Sequence, residues 1–104
     1  MRMNLRRLRE VQNLKLKELA NRCNMKVERL RAIEQYKELP TYFELCHILK
    51  GTNHYFDETY QIIWHDIEDH YRPQNYNEYQ TIQENINHYD NLIEENERNN
   101  YYDK

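Results

Sequence analysis

Serine is absent from this 104-residue chain, glycine occurs once, and proline and cysteine occur twice each. Without serine there is no serine nucleophile, whatever the fold. A single glycine excludes the glycine-rich loops that cradle phosphates and, with two prolines, leaves few places for tight hairpin turns. No run alternates apolar and polar residues long enough to form a sheet. Cys23 and Cys46 are too few for a disulfide framework; each sits in an apolar helical pattern, where a free Cys packs as a small hydrophobe. No apolar run approaches membrane-spanning length, and the N-terminus is charged within its first ten residues, unlike a secretory signal. These absences predict an all-α protein of the cytoplasm.

What the chain does have is charge, unevenly placed. Residues 1–50 carry twelve Lys/Arg against six Asp/Glu, whereas residues 51–104 carry three against twelve. The net charge of −3 hides both halves. A basic half joined to an acidic half predicts two surfaces with different partners, and a basic surface attracts polyanions, nucleic acid foremost. A core built from half of so short a chain is marginal, so a second copy or another stabilising partner is expected.

The apolar spacing places the helices. Leu5, Leu8 and Val11 share a face of an arginine-rich first helix. Leu16, Leu19 and Ala20 open a short second helix that runs to about Cys23, and Leu30 and Ile33 face inward from a third over 27–35. Thr41 caps a fourth carrying Leu45, Ile48 and Leu49. Asn13 and Asn24 stand at helix ends, where Asn tolerates the left-handed conformation. Phe56, Tyr60, Ile63, Trp64, Ile67 and Tyr71 then form one apolar stripe, stopped by Pro73. Tyr79, Ile82, Ile86, Tyr89 and Ile93 repeat in the three-four alternation of a coiled-coil seam.

A second and third helix one short turn apart bring a distinctive set of residues into order: Leu5, Leu8, Arg9, Leu14, Glu18, Leu19, Ala20, Leu30, Ile33, Glu34, Pro40, Leu45, Ile48, Asp57 and Glu58. In this set the chain resembles the Cro/C1 (lambda-repressor-like, XRE) helix-turn-helix family over about residues 5–60. The resemblance implies an all-α fold with a four- to five-helix DNA-binding domain at 1–55. Beyond the reach of the resemblance, the apolar pattern predicts an acidic helical extension over 56–98, as a hairpin or coiled-coil-like dimerisation element, and then a frayed tail at 99–104. The resemblance implies a sequence-specific regulator of transcription, a repressor that binds double-stranded DNA as a homodimer; no enzymatic activity, cofactor or metal is expected. Where the family usually has Gly, this chain has Asn13, Asn24 and Asn53, the best non-Gly residues for positive φ, and also Tyr36. Where the family caps its second and third helices with Ser or Thr, this chain has Lys15 and Lys26. A missing cap costs ~0.5–2 kcal/mol, and a cation there opposes the helix dipole. A DNA phosphate at the same place offsets both. Leu16 replaces the polar residue, often Gln, that starts the family's second helix.

By the resemblance, the third helix enters the major groove and presents Val27, Glu28, Arg31 and Ala32. Val27 and Ala32 suit thymine methyls, Arg31 suits guanine or a phosphate, and Glu28 suits cytosine N4. Lys15, Lys17, Lys26 and Lys37 match positions that neutralise phosphates, which set affinity and register rather than sequence. Arg9 and Glu34 match a partly buried ion pair between the first and third helices, which is structural because loss of one strands the other.

Catalytic and metal chemistry find little support. The five histidines are scattered. Asp66 and His70 share a helix face, as do His65 and Asp69, but no third ligand is fixed by spacing. Adjacent Cys46 and His47 point apart on one helix and do not make a nucleophile–base pair. For the acidic half, dimerisation is the leading expectation, through Tyr60, Ile63, Trp64, Ile67, Tyr79, Ile82, Ile86, Tyr89 and Ile93. The alternative is a basic protein partner, since eight of ten tyrosines lie after residue 50 and Tyr favours interfaces. The chain is then an autoregulator that also inhibits a protein, as an antitoxin or a phage or mobile-element inhibitor such as an anti-CRISPR protein does.

Overall fold

In a computed structural model, residues 3–54 and 58–88 are described. All regular structure among them is helical. The chain divides into two compact units, Met1–Arg72 and Pro73–Lys104.

The first unit holds α1 (Leu5–Glu10), α2 (Leu16–Arg22), α3 (Val27–Glu34), α4 (Tyr42–Gly51) and α5 (Glu58–His70). The first four have ten residues or fewer, too short to persist in water without tertiary packing. Their ends are therefore closely specified. The Asn4 side chain accepts from Arg7 N at 2.8 Å to start α1. Thr41 and Glu44 cap α4 reciprocally, at 3.1 Å and 2.9 Å.

Asn13, Asn24, Tyr36 and Asn53 follow the first four helices with φ of 56°, 55°, 59° and 63°. In each case the next N–H reaches back five residues: Leu14 to Arg9 O, Met25 to Ala20 O, Lys37 to Ala32 O and His54 to Leu49 O, at 2.7–3.2 Å. These are Schellman closures. The three asparagines take the left-handed conformation expected of Asn13 and Asn24 from their place at helix ends and of Asn53 from the glycine that the resemblance puts there. Tyr36 takes it too, which is costly for a bulky residue.

The core gathers Leu5, Leu8, Leu19, Ala20, Leu30, Ile33, Leu45, Ile48 and Leu49 from the short helices. α2 packs on α3 and α4, and α4 packs on α5. Gly51 makes the α2–α4 approach possible, since a Cβ there would meet Leu19 Cδ1 at 2.9 Å and Cys23 Sγ at 3.0 Å. α5 completes this core: Tyr60, Ile63, Trp64 and Ile67 are at most 2% exposed. Two expectations change here. The domain boundary set at 55/56 falls inside the first unit. The four α5 residues assigned to a dimer or partner interface are interior instead, because four short helices leave one face of the core open and the α5 stripe fills it.

In the second unit, α6 starts at 76 and is described as far as 88. It begins earlier than the seam predicted, because Asn75 accepts from Glu78 N at 2.9 Å while Glu78 accepts from Gln74 N at 2.7 Å. Ile82 and Ile86, also assigned to the dimer or partner interface, are buried instead. Tyr79, placed on the same seam by its spacing, is 51% exposed. Tyr89, Ile93, the rest of the expected extension to 98 and the tail lie outside the described residues.

Candidate nucleic-acid interface

α3 buries Leu30 and Ile33 and turns Glu28 and Arg31 outward, with Val27 and Ala32 half-buried at its margins. Residues 23–26 join α2 to α3. Lys15, Lys17, Lys26 and Lys37 are all exposed. Lys15 is the N-cap of α2 and Lys26 that of α3, both in extended conformation and neither with a side-chain cap bond. An ammonium has no acceptor to offer. At α2 half of a capping box survives, since Glu18 accepts from Lys15 N at 3.0 Å. At α3 no side chain performs even that part.

The cations fall into two groups. Arg9 is fixed: Nε and Nη2 donate to the two Glu34 carboxylate oxygens at 2.8 Å and 3.0 Å, and Nη1 donates to Leu14 O at 3.0 Å. The side chains are 14% and 6% exposed, so this fork-to-fork pair ties α1 to α3 through a nearly dry contact. The hydrogen bonds from Arg9 to Glu34 raise the guanidinium pKa, against the opposing effect of burial. Arg29 is equally committed, to Glu44 at 2.7 Å and 2.9 Å, to Glu38 and to Leu39 O at 3.0 Å. Arg6 pairs with Glu10. By contrast Lys15, Lys17, Lys26, Arg31 and Lys37 hold no side-chain hydrogen bond or ion pair among the described residues. Arg31 borders an open cleft of about 570 Å³ that also touches Leu16, Arg6 and Gln35.

Tyr36 anchors the end of α3. Its hydroxyl donates to Asp66 Oδ2 at 2.6 Å, and its ring stacks on His70 with centroids 4.8 Å apart. His70 Nδ1 lies 3.2 Å from Asp66 Oδ1. Burial, and then the hydrogen bond to Asp66, push the phenol pKa up. Asp66 and His70, a candidate metal pair by spacing, are thus engaged with each other and with Tyr36. Among the described residues no three His, Cys, Asp or Glu side chains gather to hold a metal. Burial pushes the Cys23 thiol up to about 11 and raises that of Cys46, which disfavours the thiolate needed for attack. No helix among the described residues is long and apolar enough to cross a membrane.

Sequence reasoning missed the Arg29 network and the Tyr36 anchor. Their hydrogen-bond partners lie 9 to 30 residues away, and no local pattern points to them. No family model, no curated protein and no solved structure matches the chain.

Proposed function

We propose that the chain is a sequence-specific double-stranded DNA-binding regulator of transcription, with α2 and α3 as a helix-turn-helix of the lambda-repressor-like kind and α3 in the major groove. The observation that carries the reading is the lysine at the N-caps of both α2 and α3, with no side-chain bond to either helix. A cation there destabilises the free helix. A phosphate bound at the same place satisfies the free N–H groups and pairs with the ammonium. The unpaired state of Lys17, Arg31 and Lys37 supports the same reading, since these side chains are free to neutralise a polyanion without breaking an existing contact. Arg31 and Glu28 are the polar side chains suited to base edges. Arg9 and Glu34 hold α3 against α1 and belong to the scaffold.

Binding as a homodimer to two half-sites about 34 Å apart follows from this reading. With the α5 stripe and, on α6, Ile82 and Ile86 already buried, the proposed dimer contact falls to the exposed face of α6 and the chain beyond it. Repression is the form of regulation proposed, by occupancy of an operator. Selection of bound duplexes from a random-sequence library by the full chain tests the reading. One enriched, two-fold symmetric motif is expected, with affinity falling steeply as salt rises. A pool that stays random after repeated rounds overturns it.

A further inference from the structure

α6 carries a feature that DNA binding does not use. Tyr76 and Tyr79 are 70% and 51% exposed, and their rings stack with centroids 6.3 Å apart and 28° between planes. Neither hydroxyl has a hydrogen bond among the described residues. The Asn75–Glu78 cap fixes the turn that carries both rings. The pair is therefore an exposed, amphipathic patch of two rings with few rotatable bonds, the kind of surface used at binding sites.

Charge decides what it fits. From Pro73 to Glu97 the sequence contains no Lys or Arg, and from Pro73 to Lys104 it contains seven Asp/Glu. Stacked tyrosines serve as nucleobase platforms only inside a positive groove that holds the phosphates, and no such groove can form from these residues. Anionic membrane surfaces are disfavoured for the same reason. A guanidinium suits both features, because it stacks on aromatic faces and is attracted to a segment of net negative charge. We propose that Tyr76 and Tyr79 form a docking site for arginine side chains on a basic segment of a protein partner.

The test uses the full chain and labelled nona-arginine, nona-lysine and oligo-dT, with binding read by fluorescence anisotropy. The arginine peptide should bind several-fold tighter than the lysine peptide. The double variant Y76A/Y79A should lose about tenfold in affinity for the arginine peptide and lose its preference over lysine. Its thermal melting should be unchanged, since both rings are exposed. E84Q should weaken both peptides alike. Equal affinity for the two peptides, indifferent to the double variant, overturns the proposal and leaves simple charge attraction. Loss of oligo-dT binding in the double variant overturns it in favour of a nucleobase platform. A drop from dimer to monomer mass overturns it in favour of an interface between copies.

Discussion

Tyr36 is a bulky residue in the left-handed region, and its cost and compensation can be separated by substitution. Holding an L-residue there costs about 1–2 kcal/mol. Against this, the hydroxyl bond to the Asp66 carboxylate contributes about 1.5–3 kcal/mol and the stack on His70 about 0.5–1.5 kcal/mol. Y36F removes the hydroxyl bond alone and should cost about 1.5–3 kcal/mol, since it also leaves a buried carboxylate oxygen without that donor. Y36G removes bond and stack but relieves the strain, for a net cost of roughly 2 kcal/mol. Y36A removes the same bond and stack and keeps the strain, so it should fall below Y36G by about 1–2 kcal/mol. Urea unfolding followed by the fluorescence of Trp64, the one tryptophan and fully buried on α5, reads all three. Equal stability of Y36A and Y36G refutes the strain, and a Y36G variant more stable than the parent refutes the anchor.

Removing Arg9 leaves Glu34 charged at 6% exposure, so R9A should cost about 3–5 kcal/mol. R9A/E34A should cost clearly less than the sum of the single variants in a double-mutant cycle by urea unfolding. The pH dependence has a defined sign at Glu44, whose carboxyl is held below its ordinary value of 4.5 chiefly by the hydrogen bonds from Arg29. A depressed folded pKa gives stability that is complete above the unfolded value and is lost as pH falls through the folded one. E44Q should therefore flatten the acid limb of a melting-temperature profile below about pH 4.5, and an unchanged limb would count against the Arg29–Glu44 pair.

The helical frame was legible because its signals are local. Asn13 and Asn24 marked helix ends since Asn is the residue that, after Gly, best adopts positive φ, and Asn53 was added to them by the resemblance. Thr41 announced α4 by its cap. The α5 stripe was equally visible, but periodicity says which face is buried and not what covers it, so Tyr60, Ile63, Trp64 and Ile67 read as an interface when they close the core of their own unit. Tyr79 shows the same limit of periodicity: a three-four step places a residue within a broad stripe, and this one lies at its exposed edge beside Tyr76, where it stays open to a partner. Arg29 and Tyr36 were invisible as anchors, because their acceptors lie beyond the reach of one helix's spacing, in the α3–α4 connection and on α4 for Arg29 and on α5 for Tyr36, and only folding brings them near. In the candidate site, the position and character of Lys15 and Lys26 could be read from sequence. That neither side chain can cap follows from the ammonium's lack of an acceptor; that neither is drawn into an ion pair elsewhere among the described residues required the structure.

The most direct test of the central claim is to replace the lysine caps. K15S restores a full capping box with Glu18, and K26S gives α3 an acceptor. Each should stabilise the free protein by ~0.5–2 kcal/mol. Binding to the selected duplex should be weaker in both, with the slope of log affinity against log salt reduced by about 0.9 for each phosphate that is no longer neutralised. Variants that gain stability while keeping the parent's affinity and salt slope would contradict the account.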